Sequence, residues 1–158
     1  MSQFQKKFVF VDRLKYNDII RFNRLLFRKD KGKDPNRMNK LFFILASLFS
    51  FLGVALGAFA AHLLKERLEP DLFNIFEVGV RYHMYHALGL FVVAWAATQL
   101  SNVQPAGWLF VAGIFLFSGS LYILSITGIR WLGAITPLGG LCFLAGWLYL
   151  AWKGYQAL

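Results

Sequence analysis

The residues with the most chemistry to offer are three histidines, His62, His83 and His86, the last two spaced i,i+3 and so on one helix face. Imidazoles placed this way could ligate a metal or a haem, hold a quinone head group, or pass protons. The plainer alternative is that each ring stays neutral and hydrogen-bonds to neighbouring backbone, hydroxyls or water. No HExxH spacing accompanies them, and no cysteine or carboxylate stands at metal-ligand spacing apart from the acids of one loop. The chain also lacks a nucleophile with an adjacent base, a phosphate-binding glycine loop and a carboxylate inside an apolar run. Enzymatic and ion-coupled transport readings both lose ground on that account.

The elements that must position these histidines follow from an uneven distribution of charge. Of 158 residues, 58% are apolar and 18% aromatic, and only 16% are charged. Twelve of the 17 Lys and Arg lie in residues 1–40 with four Asp, so this stretch carries +8 of the formal +9 and the remainder is nearly neutral. A soluble domain spreads charge over its surface, whereas hydrocarbon excludes each charge at a cost of about 3 kcal/mol. Crossing about 30 Å of hydrocarbon takes roughly 20 mostly apolar residues in a helix. Four segments qualify: Leu41–Leu64, fenced by Lys40 and Lys65, then Tyr82–Leu100, Pro105–Thr127 and Leu132–Trp152. Four such runs leave no polar face to solvate in a soluble fold. The expectation is an all-α polytopic membrane protein, a four-transmembrane-helix bundle.

Local signals refine that bundle. Pro70 suits a first helical position, Asp71 the positive end of a helix dipole, and Glu77 precedes Arg81 at i,i+4, which predicts an interfacial helix between the first two spans, running into the second. Pro105 can open the third helix and Gly128 close it. Pro137, followed by Gly139 and Gly140, predicts a kink or local unwinding in the fourth span that serves packing. Gly53 and Gly57, extended by Ala61, form a small-residue face for close helix approach, within the chain in preference to between copies. Cys142 is the only cysteine and permits no internal disulfide.

Retention of Lys and Arg on the cytoplasmic side sets the orientation. The N-terminal stretch is strongly basic, the loop from Lys65 to Arg81 holds three basic and four acidic residues, and Lys153 follows the last span, so both termini are expected in the cytoplasm. Residues 1–37 form a separate N-terminal segment with two readings. Arg13, Arg21, Arg24 and Arg28 make a basic stripe that fits a peripheral helix on anionic lipid, or translation begins at Met38 and the segment lies upstream. The Ala58-Phe59-Ala60 sequence mimics a secretory cleavage site, but the apolar run before it exceeds the roughly 7 to 15 residues of a signal core, so an uncleaved helix is expected.

On this topology the polar residues of the spans share one depth. Ser118, Ser120 and Tyr122 in the third helix and Thr136 in the fourth join His62, His83, His86 and Arg81 in a layer beneath the outer surface, with His62, His86, Tyr122 and Thr136 expected within reach of one another. Hydroxyls and imidazoles contribute about 0.6 to 2 kcal/mol each as glue between membrane helices, so such a layer serves packing or binding.

Four motifs carry a resemblance. GVALGAFAAHLL at Gly53–Leu64, YHMYHALGL at Tyr82–Leu90, LFSGSLYIL at Leu116–Leu124 and TPLGGLCFLAGW at Thr136–Trp147 together resemble the YgdD-like family, domain of unknown function 423, over about Met38 to Trp152. The resemblance implies a four-helix protein of bacterial inner membranes, related to a small mitochondrial membrane protein, with no established activity. It places His62 in a Gly-Ala-His element, here with Ala60 and Ala61 before the histidine, and His86 in the element of the second span. Ser118, Gly119, Ser120 and Tyr122 match the third element, and Thr136, Pro137, Gly139, Gly140, Gly146 and Trp147 the fourth. The leading expectation is a non-enzymatic accessory or structural component. The alternative is a small-ligand, metal or haem-binding membrane protein using the histidine layer, with small-solute transport behind it. Expected partners are the lipid bilayer and a second copy or a larger membrane complex, with no nucleic acid.

Overall fold

The computed structural model describes residues 35–158, with side chains from Asn39 onward. The arginine stripe of the N-terminal segment, and with it the choice between a peripheral helix and an upstream extension, falls outside the described residues. Every regular element among the described residues is helical, with no strands. Helix α1 (Pro35–Phe59) runs directly into a π-helical turn, Ala60–Leu64, and α2 spans Pro70–Gln99. Next, α3 (Gln104–Gly113), a π segment (Ile114–Gly119) and α4 (Ser120–Thr127) form one continuous rod. A 3-10 turn, Arg130–Ala134, leads into α5 (Thr136–Tyr155). Three of these rods, Asn39–Leu64, Gln104–Thr127 and Arg130–Tyr155, are long and apolar enough to cross a membrane.

Helix starts and stops follow local chemistry. Pro70 lies in the first turn of α2, where its missing N–H forfeits no bond, and Asp71 lies in the same turn. No break separates residues 70–81 from the rest of α2, whose 30 residues reach about 45 Å at 1.5 Å per residue. Gly128 closes α4 at φ 71°, its N–H donating to the Leu124 carbonyl at 2.8 Å. In the fourth rod the irregular stretch lies just ahead of Pro137, where the 3-10 turn gives way to α-helix. Pro137 sits in the first turn of α5 and does not interrupt it. A proline at that position removes no intrahelical hydrogen bond, so α5 continues unbroken through Gly139 and Gly140.

Packing fixes the register of the rods. Methyl groups built on Gly53 and Gly57 would stand 3.1 Å from Met84 Cε and 3.4 Å from Val80 Cγ1, so α1 lies antiparallel on α2. Helix α5 lies on the α3 rod along a tighter seam. Phe110 covers Gly146, Phe143 covers Gly113, and Gly139 meets the main chain of Phe117, an antiparallel match in steps of three and four residues. Phe42 of α1 fills the notch at Gly107. One buried cluster gathers Phe42, Leu90, Val93, Val103, Ala106, Phe110 and Phe143; a second, smaller one gathers Ala60, Leu64 and Phe76. The outward face stays apolar, with Phe51, Trp95, Leu144 and Leu148 all more than 60% exposed. Water would make that surface costly, whereas lipid accepts it.

Candidate functional site

Helix α2 carries two nearly inaccessible histidines, His83 at 4% and His86 at 5% exposure, and directs them to different neighbours. The His86 Nδ1 lies 2.8 Å from the Tyr82 carbonyl, one turn back on its own helix. A carbonyl only accepts, so Nδ1 bears the proton and Nε2 presents a lone pair. That lone pair accepts from the Trp147 indole N–H of α5 at 3.2 Å. The ring stacks on Phe143 with centroids 3.4 Å apart and planes 6° from parallel, while Phe110 meets it edge-on at 5.4 Å. Glycines make this approach possible: Gly89 faces both Phe110 and Trp147. His86 therefore has both nitrogens engaged and both faces of its surroundings aromatic.

His83 is held differently. Its Nδ1 lies 3.2 Å from the Tyr122 hydroxyl of α4, and Gly79, one turn back, leaves room for the Tyr122 ring. Phe49 of α1 packs against the imidazole at 5.6 Å and 70°. The Nε2 is buried without a hydrogen-bond partner.

The remaining candidates separate into smaller groups. The Ser120 hydroxyl donates to its own Phe117 carbonyl at 2.9 Å and accepts from the Thr136 hydroxyl at 2.9 Å, tying α4 to the start of α5. Ser118, in the π segment, is wholly buried, and its Oγ has no hydrogen-bond partner. His62 and Arg81 are exposed. The antiparallel register that sets Gly53 against Met84 and Gly57 against Val80 carries His62 past the other histidines, to the level of about Ile75, roughly 12 Å along the bundle from His83.

The expected convergence of His62, His86, Tyr122 and Thr136 is thus corrected. Tyr122 pairs with His83, Thr136 with Ser120, and His86 with Trp147, in separate contacts between different rods. Trp147 is the partner that depth alone missed. Its signal in the sequence is an indole N–H within an apolar span, a donor that needs an acceptor and has few to choose from. Gly139 is the tightest glycine position of the seam, whereas a methyl group built on Gly140 would stand an ordinary 3.8 Å from the Phe117 ring. Among the described residues no three His, Cys, Asp or Glu side chains come together in a way that could hold a metal ion.

Comparison with known proteins places this arrangement. The family described as "Protein of unknown function (DUF423)" matches residues 56–140, a stretch that holds all three histidines, Tyr122 and Thr136. The chain is 54% identical over 114 residues to the UPF0382 membrane protein YwdK of Bacillus subtilis, covering 70% of this chain and 93% of the relative. It is 48% identical over 112 residues to a UPF0382 membrane protein of Staphylococcus epidermidis, covering 70% of this chain and 92% of the relative. No solved structure matches it. With described residues whose regular elements are all helical, three rods among them fit to cross a bilayer, an apolar exterior and near-complete coverage of these relatives, the chain belongs to the DUF423 family of membrane proteins of unknown function.

Proposed function

We propose that this protein crosses a bacterial cytoplasmic membrane four times, with both termini in the cytoplasm, and serves as a non-enzymatic accessory or structural component. In this reading the apolar half of α2 from Tyr82 onward supplies the fourth span, and residues 70–81, with Asp71, Glu77 and Arg81, lie at the interface. Cysteine accessibility scanning in a Cys142→Ala background tests the topology. Positions in the 65–81 and 127–131 connections should label from outside, and outside labelling of position 102 would invert the arrangement.

The observation that carries the functional reading is the state of His86. A haem or metal ligand needs a free imidazole lone pair, and the one on His86 is taken by Trp147. The residue works as a bolt between α2 and α5. A second reading, a small polar ligand held within the bundle, draws on a different observation: His83 Nε2, Ser118 Oγ and Ser50 Oγ are buried without partners. Purification of the full chain in mild detergent separates the two. A partner protein retained in fixed stoichiometry supports the accessory role, whereas a small polar molecule, a haem seen as a Soret band, or a metal retained in fixed stoichiometry would overturn it in favour of ligand binding.

A further inference from the structure

The end of the bundle that carries the 65–81 and 127–131 connections has a cavity of about 460 Å³ lined by Asp71, Leu72, Asn74, Ile75, Leu124 and Arg130. Its charges meet because of register. Gly79 faces Tyr122 across α2 and α4, and eight residues onward in opposite directions lie Asp71 and Arg130. Among the hydrogen bonds of the described residues none joins these two side chains, so one anion and one cation line a shared cavity over an apolar floor. Arg130 is the single charged residue between Arg81 and Lys153. The exposed Ile129 and Trp131 flank it in the chain.

This combination selects among amphiphiles. A guanidinium matches a phosphate with two parallel N–H donors. A carboxylate best holds a cation that has N–H groups to donate. The apolar residues Leu72, Ile75 and Leu124 fit the glycerol and upper chain region, and the volume lies in the range of ordinary ligand pockets. We propose that the cavity binds the headgroup of phosphatidylethanolamine, its phosphate on Arg130 and its primary ammonium on Asp71. Phosphatidylglycerol offers no cation to Asp71, and the quaternary ammonium of phosphatidylcholine has no N–H to donate. A second cavity, about 560 Å³ and flanked by Lys40 and Trp95, has no carboxylate in its wall, so it lacks this selectivity. The proposal rests on the membrane setting and is independent of which way the bundle faces.

The full chain reconstituted in nanodiscs of equal parts phosphatidylethanolamine, phosphatidylglycerol and phosphatidylcholine, and analysed by native mass spectrometry, provides the test. The wild type should retain phosphatidylethanolamine over either competitor by about threefold, the scale of a partly exposed ion pair. Asp71→Asn should remove the preference over phosphatidylglycerol while keeping a lipid bound, and Arg130→Gln should lower the number of retained lipids. Lys40→Gln should leave the preference unchanged. Circular dichroism on each variant checks that the fold is kept, which the exposure of all three side chains favours. Retained lipid that mirrors the bilayer, wild-type preference in both Asp71→Asn and Arg130→Gln, or loss of preference in Lys40→Gln would overturn the assignment.

Discussion

His83 and His86 stand one turn apart on the same helix, similarly buried, and they are held in different ways. His86 donates from Nδ1 and accepts at Nε2, inside a wall of Phe110, Phe143 and Trp147 that glycines allow to close. His83 meets the Tyr122 hydroxyl through Nδ1, packs against Phe49, and is left with an unpartnered Nε2. Residue type and burial alone do not decide what a membrane histidine does. The approach of the neighbouring rods decides it. Where Gly113, Gly139 and Gly146 let α5 and the α3 rod interlock, every polar atom of the imidazole finds a partner. Across α1, where Gly53 and Gly57 face flexible or ordinary contacts, one does not.

Steric change at the glycines should break this contrast most strongly. Gly139→Val would drive a branched side chain into the Phe117 main chain and is expected to cost about 3 kcal/mol, whereas Gly57→Ala, facing a Val80 methyl, should cost less than about 1 kcal/mol. Thermal unfolding in detergent measures both, and equal losses would erase the distinction between the two seams. The next largest effect is expected at His86→Ala, about 2 to 3 kcal/mol, because it opens a cavity against Phe143 and strands the indole of Trp147. A double-mutant cycle with Trp147→Phe should return a coupling of about 1 kcal/mol, and strict additivity would show that the bolt carries no load.

Smaller effects sharpen the other side. Tyr122→Phe should lower stability by about 0.6 to 1 kcal/mol, the usual worth of a hydrogen bond between membrane helices. Ser118→Ala should be neutral within about 0.5 kcal/mol or slightly stabilising, since it removes a buried hydroxyl that has no partner. A loss above about 1 kcal/mol at Ser118 would show that the hydroxyl is engaged, and would move the balance towards the ligand-binding reading.

Much of the helical layout was legible in the sequence because its signals are local. The uncharged run after Lys40, Pro70 and Asp71 at the start of α2, Pro105 at the start of α3 and Gly128 after Thr127 all act through their own backbone or a neighbouring turn. The pairing of polar side chains was not legible, because it depends on rotation and register between rods. His62 shows this plainly, since equal distance from a span's end did not translate into equal depth once α1 and α2 were in register. Pro137 is a related case. Whether a proline kinks a helix or opens one depends on where the helix begins, and the 3-10 turn at Arg130–Ala134 moved that beginning.

The π segment Ile114–Gly119 has a consequence for how this sequence can change over time. An α-helix turns by about 100° per residue, so a widened turn holding one additional residue rotates everything beyond it by about that angle. Before it, Phe110 and Gly113 engage α5; after it, Tyr122 engages α2. The segment therefore acts as a phase adjuster between two docking faces of one rod, using residues such as Phe115 and Leu116 that themselves face outward. Substitution at an outward position such as Leu116 is cheap, but removal of a single residue there would spin Tyr122 away from His83, so at those positions chain length is constrained more tightly than side-chain identity.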